Sequence, residues 1–190
     1  MMTAAFGASL LPYWGVLVAA IIEGEVAYIA ASALVAQGHL NALAVVVAGA
    51  AGAAIGDQTY FYVFRGRLPR WIARYPSLER RCAPLISRVR RHGTAMVLLI
   101  RFAPGLRIAL AAACAWVDVP PLKFSLLNLA AAVIWATSVL VVVAWLAPAW
   151  LSQYGLGGWK GALVAGAAVL ALFKVLAIYE RRAMARPATD

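Results

Sequence analysis

Histidine, cysteine and acidic residues are all scarce in this chain, and each scarcity removes a class of function. Two histidines and two cysteines occur among 190 residues. Their spacing suits no metal site, so neither a metal nor another cofactor is expected. His39 and His92 stand at polar edges of apolar stretches, with no Ser-Gly-His grouping nearby. A lipid phosphatase would lack its nucleophilic and acid–base groups, and no enzyme is expected. Cys82 lies in a basic segment and Cys114 in an apolar one; the two fall at different depths and no disulfide is expected. Seven acids stand against 17 lysines and arginines, for a net charge of +10.

That excess is concentrated. Arg65, Arg67, Arg70, Arg74, Arg80, Arg81, Arg88, Arg90 and Arg91 crowd one polar stretch, and Lys174, Arg181, Arg182 and Arg186 form a second cluster near the end. Basic clusters beside membrane spans are the mark of cytoplasmic loops and attract anionic head groups. A membrane surface, and no nucleic acid, is therefore the expected partner of this charge.

Apolar residues are what the chain has in plenty: 65%, with 13% charged and a mean hydropathy of +0.85. A soluble domain lies near roughly half apolar and a quarter charged. Before Phe6 there is no basic stretch, so a cleaved signal peptide is not expected. Residues 1–190 read as a single all-α integral membrane domain.

Residues 10–37 hold two apolar runs separated by Glu23-Gly24-Glu25. Each run is about a dozen residues, roughly 18 Å as a helix, too short for a hydrocarbon core of about 30 Å. A re-entrant hairpin with its break at Gly24 is preferred over one span with two acids at its middle, because irregular backbone is tolerated only where it lines protein or water. Residues 40–64 read as a full span with a small-residue middle, and 65–92 as a basic amphipathic segment at the cytoplasmic surface. Residues 93–117 repeat the first design: two short apolar runs around Arg101-Phe102-Ala103-Pro104-Gly105-Leu106-Arg107, with Pro104 and Gly105 as the break. Full spans follow at 122–147 and 159–179. Three full spans place both basic clusters on the cytoplasmic side. A single span at 10–36 would leave that arrangement undisturbed, so the charge pattern does not choose between the two readings. Two hairpins, each followed by a span and dipping from opposite sides, make an inverted-repeat, transporter-like architecture.

Ionisable residues inside a membrane segment are costly to hold and point to function. Glu23, Glu25 and Asp57 are the expected proton-coupling groups, since carboxylates held away from water exchange protons near neutral pH. Arg101 and Arg107 flank the second break and offer forked donors suited to phosphate. Mutual neutralisation as buried ion pairs is the structural alternative for the same residues.

Ile22-Glu23-Gly24-Glu25, Gln37-Gly38, Gly56-Asp57-Gln58 with its following aromatics, and Arg101 to Arg107 together resemble the DedA family, also described as carrying the VTT or SNARE-associated domain. The likeness continues through Pro120 to Phe124, Asn128 and Trp135. It implies two re-entrant hairpins and proton-motive-force-dependent lipid transport in the bacterial cytoplasmic membrane. It also implies that Glu25 is the family's essential acid, that Arg101 and Arg107 are its essential arginines, and that Asp57 is the acid of its Gly-Asp motif. Tyr13 stands where many members carry a further glutamate. The expectation is a translocase for a phosphate-bearing lipid, first among them undecaprenyl phosphate, with protons as the second partner. A phosphatidylethanolamine flippase or scramblase, or a proton-coupled exporter of small ions or cationic compounds, is the alternative. A homodimer stays open.

Overall fold

The computed structural model describes residues 2–67, 76–102, 107–155 and 158–185. The described residues form helices only: α1 (Met2–Ala36), α2 (Ala42–Phe64), α3 (Pro76–Leu99), a 3₁₀ turn at Ile100–Phe102, α4 (Arg107–Trp116), α5 (Pro121–Val141), a π segment at Val142–Leu146, α6 (Ala147–Leu151), a 3₁₀ turn at Ser152–Tyr154, and α7 (Gly158–Ala185). They belong to two compact units. One holds Met1–Gly56 and Ala132–Leu172, the other Asp57–Ala131 and Phe173–Asp190. Each unit thus takes one part of α2 and one part of α5.

In the first unit, α1 is assigned as one helix but is not a straight rod. A straight helix would carry Tyr13 about 35 Å from Ala36. The chain from Ala36 to Asn41 reaches back at most about 18 Å. Yet the Tyr13 hydroxyl accepts a hydrogen bond from the Asn41 N–H at 3.0 Å. Both parts of α1 also touch one face of α2. A Cβ on Gly52 would lie 2.3 Å from the Leu17 carbonyl oxygen, and one on Gly49 would lie 2.2 Å from the Tyr28 ring. The chain between Tyr13 and Ala36 is therefore sharply bent, and the small residues of α2 are what admit its two limbs. The second limb is anchored by Tyr28, whose hydroxyl donates to the Ala136 carbonyl at 2.8 Å and whose ring packs on Trp135 at 5.0 Å.

In the second unit, Phe61 stacks on Phe124 at 4.0 Å, and Leu85, Val89, Val97, Leu110 and Cys114 complete the core around them. Leu85 and Val89 come from the amphipathic segment expected to lie on the bilayer surface. Their burial shows that part of its apolar side is spent on protein packing instead. The segment ends where expected: non-helical torsions at His92 (φ −131°, ψ 38°) kink α3 and divide it into two helical parts. Residues 68–75 of the segment lie outside the described residues.

The same turn closes both α1 and α4. His39 N–H donates to Leu34 carbonyl and Gly38 N–H to Val35; Val119 N–H donates to Cys114 and Asp118 N–H to Ala115. These are Schellman motifs, which need a left-handed residue. Gly38 (φ 78°) supplies it in the first and Asp118 (φ 57°) in the second. Asn41 then caps α2 by accepting the Ala44 N–H at 3.1 Å, while Pro121 opens α5 where no donor is needed.

Two stretches among the described residues are long and apolar enough to cross a membrane, Ala42–Phe64 and Pro121–Tyr154. The first matches the expected span. The second outruns its expected end at 147, because the π segment Val142–Leu146 carries the helix past Pro148. Proline offers no N–H and crowds the carbonyl four residues back, and a π turn is one way to absorb that. The expected third span, 159–179, lies on α7, where the described residues give a shorter apolar stretch, Leu163–Leu176. Of the three expected spans, two are long and apolar enough among the described residues.

Candidate functional site

Asp57 follows Gly56 on α2 and begins the second unit's share of that helix. Its carboxylate is fully buried. Two arginines from elsewhere in the same unit converge on it. Arg101, held by the 3₁₀ turn that ends α3, donates from NH2 to Oδ2 at 2.7 Å. Arg107, the first residue of α4, donates from Nε to Oδ1. Each oxygen is therefore engaged by a different guanidinium. The side chains of Arg101 and Arg107 are 5% and 11% exposed. Isolated charges in such a place would cost several kcal/mol each, which pairing offsets only when the geometry is good.

Two guanidinium groups meet one carboxylate, so these three groups together carry one positive charge in excess. The NH2 nitrogen of Arg107 is buried and meets no acceptor among the described residues. Such a donor suits an oxygen-rich anion, and phosphate has the geometry to take it. Pro104 and Gly105, expected as the break between the two arginines, lie outside the described residues.

The expected acids fall in different units. Glu25 is half-buried on α1 in the first unit, and Asp57 is in the second. Gly24, expected as a break, lies within the helical range of α1. Glu23 is on the same helix, and its side chain lies outside the described ones.

One pairing is not visible in the sequence pattern. Arg65, at the end of α2, donates to Asp118 Oδ1 at 2.8 Å and lies over the Phe61 ring at 5.6 Å. Asp118 reads in sequence as an interfacial polar residue and Arg65 as one of many topology cations. Only the basic residue just past the aromatic end of the span hints at a link. Nearby, Gln58 donates to Ser125, which donates to the Pro121 carbonyl at 2.7 Å.

The family model for the VTT domain matches residues 22–145. The chain belongs to the VTT domain family. This is the DedA or SNARE-associated family, whose members are membrane proteins generally linked to lipid or ion transport rather than to enzymatic reactions. No curated protein and no solved structure matches the chain significantly. The matched stretch contains Glu25, Asp57, Arg101 and Arg107, so the buried charge cluster lies wholly within the VTT domain. All of α7 lies beyond it.

Proposed function

We propose that this VTT domain protein moves a phosphate-bearing lipid between the leaflets of a bacterial cytoplasmic membrane, with undecaprenyl phosphate as the leading candidate. The observation that carries the reading is the fully buried Asp57 held by both Arg101 and Arg107. A lipid phosphate entering this site would compete with the aspartate for the same two guanidinium groups. Protonating Asp57 would withdraw the competitor and leave the forked donors to the phosphate. Releasing the proton would reverse the exchange, which ties the lipid's passage to a proton gradient. Glu25, half-buried on α1, is the second proton-coupling group in this scheme, and Glu23 stands beside it.

Several features support the membrane arrangement that such a cycle needs. The bend that the Tyr13–Asn41 hydrogen bond imposes on α1 supports a chain that enters and leaves on one side, as a re-entrant hairpin does. Closing α1 and α4 with the same turn, and drawing each unit from one end of α2 and one end of α5, fits an inverted repeat. The basic clusters support a cytoplasmic position for the polar stretch 65–92 and the end of α7.

The test places purified protein in vesicles carrying labelled undecaprenyl phosphate in one leaflet and follows its loss from that leaflet. Parallel vesicles carry labelled phosphatidylethanolamine. Movement of the polyprenyl phosphate alone, accelerated by a pH gradient and lost in both Glu25→Gln and Arg107→Ala, is expected. Movement of both lipids would make the protein a scramblase. Movement of neither, with substrate-stimulated proton flux instead, would make it an exporter of small ions and remove the lipid from the scheme.

A further inference from the structure

The second unit contains a cleft of about 550 Å³ whose lining includes none of the residues of the Asp57 cluster. Arg90 and Arg91 of α3 and Lys123 of α5 bring three fixed positive charges to it from two elements. The one acid on its wall, Asp118, already receives Arg65 at 2.8 Å, so its charge is partly answered from within the protein. A concave wall of one sign concentrates counter-ions far more than the same charges spread over a flat surface.

The floor is accessible to a ligand. A Cβ added at Gly93 would meet nothing within 4 Å, and Thr94 beside it is exposed and offers a hydroxyl donor. The location is equally telling. Pro121 opens the long apolar stretch Pro121–Tyr154, so Lys123 stands in its first turn, where head groups meet hydrocarbon. Arg90 also borders a second cavity of about 280 Å³, whose wall includes Ile86 and Trp116. A phosphate in the cleft would therefore have an apolar surface next to it.

We propose that this cleft binds a phosphate monoester or diester head group, with Arg90, Arg91 and Lys123 as its donors and the Ile86–Trp116 cavity taking the first carbons of the chain. It is a binding site separate from Arg101 and Arg107, and it gives the chain a place to hold an anionic lipid at the membrane surface. Its occupancy does not depend on the translocation scheme.

The experiment places the full chain in phosphatidylcholine nanodiscs doped with phosphatidylglycerol and counts retained phosphatidylglycerol by native mass spectrometry. Arg91 and Lys123 are exposed, so Arg91→Gln combined with Lys123→Gln leaves the fold intact, checked by an unchanged melting temperature. That variant is expected to bind phosphatidylglycerol about tenfold more weakly, as loss of two charge-assisted donors implies. Arg88→Gln, an exposed neighbour outside the cleft, is expected to bind as the parent does. Equal weakening in Arg88→Gln would reduce the effect to the general field of a basic helix and overturn the site, as would undiminished binding in the double variant. Inorganic phosphate added to loaded discs distinguishes the sources. Displacement of the lipid means phosphate suffices whatever carries it, and retention means the lipid-borne form is required. No transport is measured, so failure here leaves the translocation reading standing, and failure of translocation leaves this site standing.

Discussion

Asp57 accepts one hydrogen bond on each carboxylate oxygen, from two arginines that bracket a turn. Removing the shared partner strands both cations, so Asp57→Asn is expected to lower stability by about 3–5 kcal/mol, the usual cost of breaking a buried pair. Once Asp57 is gone, Arg107→Gln removes one of the two stranded cations. The double variant Asp57→Asn with Arg107→Gln should therefore be more stable than the two single losses added together, by at least about 1 kcal/mol, whereas independent sites add within roughly 0.5 kcal/mol. Denaturant unfolding in detergent measures this cycle, and simple additivity would mean that the two side chains do not act as a pair. The exposed Arg65–Asp118 bridge is a contrast: Arg65→Gln should cost under about 1 kcal/mol. Residue types at these positions are legible in the sequence, but the pairing is not. Asp57 meets Arg101 across 44 residues and Arg107 across 50, and nothing local says that one acid answers both.

The elements were legible where the pattern is local. Two apolar runs of a dozen residues around Glu23-Gly24-Glu25 pointed to a break within residues 10–37, and the Tyr13–Asn41 hydrogen bond requires a bend in α1. The small-residue middle of α2 pointed to close helix packing, and Gly49 and Gly52 are where it occurs. Gly52→Ala would drive a methyl group into the Leu17 carbonyl, so it should cost about 1–3 kcal/mol. Gly15→Ala, whose Cβ meets nothing within 4 Å, should leave stability unchanged or raise it by up to about 1 kcal/mol through helix propensity. Melting temperatures of the two variants side by side check the close approach; equal values would put the first limb of α1 elsewhere. Two features escaped the pattern for physical reasons. Pro148 reads as a helix end, yet a π turn carries the helix past it. Leu85 and Val89 read as a bilayer-facing stripe, because apolar side chains at helical spacing look the same whether lipid or protein covers them.

For the whole molecule, the distribution of basic residues makes a topological prediction. With Cys82 replaced by serine, the remaining Cys114 is buried and silent to a bulky thiol reagent. Single cysteines at Arg90 and Arg182 should then be shielded from an impermeant reagent in intact cells, and one at Lys160 should be labelled. Labelling at Arg90 with protection at Lys160 would invert the molecule. The shared aspartate has a further consequence, for how the protein is made. Asp57 leaves the ribosome 44 residues before Arg101. At synthesis rates of about 5–20 residues per second, that gap lasts roughly 2–9 s. For those seconds a carboxylate destined for full burial has neither arginine, and placing it in lipid costs about 3 kcal/mol on insertion scales. Helix α2 must therefore wait in the insertion machinery, or enter the bilayer with Asp57 protonated, until Arg101 and Arg107 arrive to claim it.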